Sequence, residues 1–224
     1  MSRLLRRLLI VAAILIAGAP AHAGSLADAV LEELNFARTQ PQEYARELRR
    51  YRAAFDGRII RDEQGDRLSF EGVRPVDEAI AFLERQRPLP PLRRGTILAM
   101  AATDHAIEQG RRGSRGHQST NGASPARRVA LRGGGLYVSE TIAYGDSDPI
   151  AVVRSLIVDD GVPGRTHRAV IFMSHLRYAG VGCGAHARYG YMCVMNYSQT
   201  ADAQPQRATE LAQRDPLRPA GLAF

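Results

Sequence analysis

Near its C-terminal end the chain reads RYAGVGCGAHARYGYMCVMNYS (177–198), two β-rich runs flanking a glycine-containing turn, and this segment limits the fold more than any other. Such a pattern predicts a hairpin, strands Tyr178–Gly184 and Gly190–Tyr197, and therefore an antiparallel pair at the heart of any sheet. With the turn centred near Arg188, Cys183 and Cys193 fall opposite each other on one face, which favours a cross-strand disulfide; two buried thiols are the alternative. No CxxC pair is present, so a structural zinc ribbon is not expected.

Upstream of the hairpin the periodicity is helical. Leu26, Val30, Leu31, Leu34 and Phe36 share a face up to Thr39, and a second helix begins at Pro41, a residue suited to a first helical position. Residues 51–76 are charged and turn-rich, with short strand candidates at 58–60 and 67–70, and predict a peripheral insertion spanning about 49–92. A helix follows from about Pro75 to Gln86, ended by the proline cluster at 88–91. Gly95–Gly110 is the best core helix, with Asp104, His105 and Glu108 expected on its outer face or in a cleft. Residues 111–125 form a loop by composition. A short helix at 126–132, a strand at 137–144 and a helix at 149–158 with Asp148 as N-cap complete the pattern. Helices interleaved with a few late strands define an α+β class with a mainly antiparallel sheet between helical layers.

The N-terminus points to export. Arg3, Arg6 and Arg7 precede an apolar run from Leu8 to Ala17 and a small-residue site at 21–23, the pattern of a signal peptide covering 1–23. Ten apolar residues are too few for a stable membrane span. Of the 224 residues, 30 are basic, all of them arginine, and 23 acidic. Without the leader, 27 basic residues face 23 acidic ones, a mild excess that does not imply a nucleic-acid partner. Residues 24–199 are expected to be one domain, and 200–224 a polar, disordered tail. The exported protein is expected in the periplasm or outside the cell.

Nucleophile-elbow, HExxH and phosphate-loop motifs are missing from the sequence. The remaining chemistry lies in His117 of GHQSTNGASPAR, Glu140 of YVSETIAYG and His167 of DDGVPGRTHR. Two imidazoles and one carboxylate form a sufficient donor set for a divalent ion with open positions, zinc being the expected one. Glu140 within an apolar strand either binds a cation or receives hydrogen bonds from the loop bearing His117.

Several segments resemble, in order, those of the CAP superfamily of cysteine-rich secretory proteins, antigen 5 and plant pathogenesis-related proteins, also called the SCP domain. LNFAR at 34–38 and AMAATDHA at 99–106 are similar to its first two helices, and GHQSTNGASPAR to its histidine loop. SETIAYG is similar to its Gly-Glu-Asn-Ile-Ala-Tyr-Gly strand, with Ser139 for Gly and Thr141 for Asn. LIVDDGVPGRTHR resembles a bacterial variant of its second histidine segment, and the hairpin its last two strands. The resemblance implies an α-β-α sandwich with a cleft in which His, Glu, Glu and His can bind a divalent metal. These positions fall on His117, Glu140 and His167, with Asp159 or Asp160 standing near the second glutamate. Asp159, Asp160 and Asn121 are the accompanying ligand-binding candidates. It further implies a cleft that binds a cell-envelope or lipid component, a metal- or histidine-assisted hydrolase with Glu140 as base, or a lipid or sterol carrier.

Overall fold

The computed structural model describes residues 25–62 and 65–206; the segment expected to be a signal peptide and the chain beyond 206 lie outside the described residues. Four strands form the central sheet in the order β4 (Arg93–Arg94), β6 (Tyr178–His186), β7 (Gly190–Ser198), β5 (Ser139–Tyr144). The β6–β7 and β7–β5 pairs are antiparallel, as expected, whereas β4 joins the edge in parallel. The sheet is therefore mixed. A two-residue edge strand has too short a pattern to be read from sequence.

Alternation along β6 sets the two layers. Ala179 and Val181 face one side, where they meet helices α1 (Leu26–Thr39) and α6 (Pro149–Val158) together with Leu34, Val153, Ile157 and Tyr197. Gly180 and Gly182 face the other side, where helix α4 (Thr96–Arg112) lies so close that a Cβ at either glycine would overlap the backbone nitrogen of Ala99 or Thr103. Met192, Val194 and Ile142 pack there against Ala102 and Ala106. The result is the expected α-β-α sandwich. Ser25 caps α1 in a reciprocal capping box with Asp28, and Asp148 caps α6 through the Ala151 amide.

Helices α2 (Pro41–Arg52) and α3 (Arg74–Arg85) extend the α1 layer, and between them β1 (Phe55–Asp56), β2 (Ile59–Asp62) and β3 (Gly65–Leu68) form a separate antiparallel meander. The insertion is thus more regular than its turn-rich sequence implies. Helix α5 (Pro125–Leu131) follows the histidine loop, and a short helix α7 (Thr166–Ile171) follows a 3-10 turn at 163–165. The expected disulfide is present, Cys183 to Cys193, at opposite positions of the hairpin. The segment expected to be loose from residue 200 instead stays on the body at first: Gly135 and Tyr137 donate backbone hydrogen bonds to Asp202 and Ala203, and Ala203 is buried.

Among the described residues no helix is long and apolar enough to cross a membrane.

Candidate functional site

His117 and His167, 50 positions apart in sequence, line one cavity of about 370 Å³ together with Arg115, Gly116, Ile142 and Tyr144. His117 comes from the loop between α4 and α5. That loop is pinned to the sheet: Gly116 donates its amide to the Tyr144 hydroxyl at 3.0 Å, Gln109 donates to the carbonyls of Gly116 and Gln118, and His186 Nε2 meets the Ser114 carbonyl at 2.8 Å. Burial pushes the Tyr144 phenol above its usual range, so it stays a neutral hydrogen-bonding group.

Each histidine is held through the same ring atom. His117 Nδ1 lies 2.9 Å from Glu140 Oε1, and His167 Nδ1 lies 2.6 Å from Asp159 Oδ1. Both carboxylate side chains are only 1% exposed, while the His117 and His167 side chains are 49% and 23% exposed. An ionised carboxylate only accepts hydrogen bonds, so Nδ1 is the donor in each ring and Nε2 is left for other partners. Two imidazole rings, each anchored at Nδ1, therefore line the cleft.

Glu140 is also fixed from behind. Its Oε2 receives Arg128 Nη2 at 2.5 Å, and the buried Arg128 donates to the His117 carbonyl at 2.8 Å and the Ala123 carbonyl at 3.1 Å. Glu140 thus accepts from His117 of the loop and from Arg128 of α5. Asp159 sits in the left-handed region as the C-cap of α6, and its second oxygen accepts the His167 amide at 2.9 Å. His167 consequently stands in the first turn of α7 rather than in a loop.

The other candidates do not reach the cavity. Asp160 turns away and accepts from the Ser69 hydroxyl and from the Phe70 and Glu71 amides, fastening the insertion to the loop after α6. Asn121 closes a local turn onto the Ala123 amide. His105, expected on an outer or cleft face, is fully buried; its Nε2 meets the Gly116 carbonyl and its Nδ1 the Ser119 hydroxyl, and burial pulls its pKa down. Among the described residues no group of three or more His, Cys, Asp or Glu side chains is placed to hold a metal. Structural zinc has four protein ligands and catalytic zinc commonly three, so the two imidazoles do not fit a resident zinc site.

The pattern of the CAP family, the cysteine-rich secretory protein family, matches residues 31–197. The chain belongs to this family. Solved structures similar to it at low identity include two bacterial proteins. One is an extracellular protein containing an SCP domain from Bacillus anthracis, 16% identical, with a TM-score of 0.42, covering 57% of this chain and 38% of that one. The other is an outer surface protein from Borrelia burgdorferi, 18% identical, with a TM-score of 0.41, covering 50% of this chain and 79% of that one. The chain thus spans well under half the length of the Bacillus protein. No curated protein matches the chain.

Within this CAP domain, the remaining matched residues serve the frame. Asn35 is bonded both ways to the Leu92 backbone, at 3.0 and 2.7 Å. Arg38 is completely buried and donates to the carbonyls of Pro90, Ile171, Met173 and Leu176; burial lowers its pKa to about 10, leaving it charged. Nothing in the sequence marks Arg115, Arg128 or Tyr144 as functional. Arg115 and Arg128 lie among many arginines with nothing local to distinguish them, and the only sign for Tyr144 was its place at the end of SETIAY.

Proposed function

We propose that this CAP protein is an exported module that binds its ligand in the cleft between His117 and His167, through the Nε2 atoms of both rings. The observation that carries the reading is the doubled arrangement of a solvent-reaching imidazole and a buried carboxylate on Nδ1, built from unrelated segments and opening onto one cavity. The leader at 1–23 and the disulfide support an oxidising, extracytoplasmic destination.

The geometry favours binding over hydrolysis by Glu140. Both of its oxygens are engaged, by His117 and Arg128, and its side chain is shut off from solvent, so it lacks the access a general base requires. A divalent ion can still serve as a probe of convergence, because two Nε2 lone pairs facing one cavity take it together and either alone holds it poorly. Titration of zinc into the protein by calorimetry is expected to show one exchangeable ion, with binding lost in both His117→Ala and His167→Ala. Acidification weakens it, since protons and the ion compete for the same lone pairs. Equal binding by the wild type and both single variants would overturn the shared cleft.

A further inference from the structure

A second cavity, of about 480 Å³, lies at the N-terminal end of α6, away from the Asp159 end that holds His167, and α2 and strand β2 of the insertion complete its walls. It shares no lining residue with the histidine cleft. Arg154 lines it with its guanidinium stacked on the Tyr51 ring, 4.2 Å from the ring centre. Among the described residues Arg154 has no carboxylate at ion-pair distance and donates no hydrogen bond. Asp148 lines the same cavity. One of its oxygens caps α6 through the Ala151 amide at 2.9 Å, and the other has no partner among the described residues. Arg154 follows this cap by about 9 Å along the helix axis, and a helical side chain leans back toward the N-terminus. Two opposite charges thus face one hollow without meeting. Tyr44 lines it as well; the residue is 1% exposed, and its hydroxyl has no hydrogen-bond partner among the described residues, with Glu33 of α1 beside it but outside bonding geometry. The remaining acids of the lining are committed, Glu47 to Arg50 and Asp62 to Arg67.

We propose that this second cavity binds a small zwitterion with an aliphatic side chain, its carboxylate on Arg154 and its ammonium on Asp148. The two unmet charges carry the proposal. A carboxylate takes paired N–H bonds from a guanidinium whose face an aromatic ring already holds, and it can also accept from the Tyr44 hydroxyl. An ammonium brings three donors to the open oxygen of Asp148. The side chain meets Leu48, Ala54 and Ile150 on the wall. Glu33 and Asp146 stand close behind, where burial first, and the charge of Asp148 in addition, raise both carboxyls. A purely anionic ligand would add to that negative field. A purely cationic one would crowd Arg154 and leave it unpaired. A sugar would satisfy hydrogen bonds and neither charge.

Calorimetric titration of the full chain with leucine, isocaproate and isoamylamine compares one aliphatic skeleton carrying both charges, the negative one alone and the positive one alone. Leucine is expected to bind at least about tenfold tighter than either, about 1.4 kcal/mol. Arg154→Gln and Asp148→Asn are each expected to weaken leucine binding by about tenfold or more. Asparagine still caps a helix, so the second variant keeps the start of α6, and the wild-type comparison stands whether or not either variant folds. In side-chain spectra leucine is expected to shift the Tyr51 ring signals and leave those of His117 and His167 in place. Leucyl-leucine separates the sources: a dipeptide bound as tightly as leucine assigns the zwitterion to a short peptide, and binding of leucine alone assigns it to a free amino acid. Leucine that binds no tighter than its singly charged analogues, that is unchanged in both folded variants, or that shifts the histidines in place of Tyr51 overturns the proposal. The histidine cleft is tested separately by zinc and is untouched by that failure.

Discussion

Arg128 shows how much of the cleft depends on one side chain behind it. Among the described residues its guanidinium is the one ion-pair partner of Glu140 besides His117, and it also holds the backbone of the His117 loop. Removing one member of a buried charge pair leaves the other uncompensated, at a cost of about 3–5 kcal/mol. Arg128→Ala is accordingly expected to lower stability by roughly 3 kcal/mol in urea denaturation; a loss under about 1 kcal/mol would place the pair among weak surface contacts. The sequence showed His117, Glu140 and His167 because these residue types are few and sit in recognisable segments. It did not show Arg128, because in a chain with 30 arginines neither type nor spacing separates a buried guanidinium from a solvated one. For the same reason Asp159 and Asp160, adjacent and chemically identical, were not distinguishable until backbone direction sent one to His167 and the other to the insertion.

At the scale of elements, the segment DDGVPGR between α6 and α7 sets the position of His167. Four of its residues, Asp159, Gly161, Gly164 and Arg165, have positive φ, which two glycines supply without strain. Its outer side is fastened by Arg165 to Glu71 and Glu78, and by the Gly161 amide to Glu71. The hydrogen bond from Arg165 first, and then that from Gly161, hold the Glu71 carboxyl down at about 2, against an ordinary 4.5. Because the folded-state value is depressed, the contribution is complete above pH 4.5 and is lost as pH falls from there through about 2. Glu71→Gln is expected to flatten the acid side of the stability profile over that interval; an unchanged slope would show that the fastening does not persist in solution. The hairpin supplies two more predictions. Gly180→Ala or Gly182→Ala forces α4 off the sheet and is expected to cost about 1–3 kcal/mol by calorimetry, the range for overpacked cores. Replacing both cysteines by alanine opens a short loop, ten residues apart in sequence; it is expected to cost about 2–3 kcal/mol on the chain-entropy account. Little change in either measurement would mean that the β6–β7 hairpin is not a rigid centre of the fold.

For the molecule as a whole, the two-imidazole donor set separates a domain that folds by packing from one that folds around an ion. The large core between the sheet and helices α1, α2, α3 and α6 is apolar and continuous, and the disulfide already ties its centre. Dialysis of the purified protein against EDTA is therefore expected to leave Tm unchanged; a fall of several degrees would reveal a resident metal. The sequence by itself determined the helical and strand segments with the longest periodicity, the hairpin with its two cysteines facing each other, and the residue types at the cleft, because these are recorded in local spacing. Only the tertiary structure decided that β4 pairs in parallel, that His105 is buried, that Glu140 answers to Arg128, and that His117 and His167 line one cavity. Those outcomes depend on which segments, dozens of residues apart, share a face of the folded chain, and no local pattern carries that information.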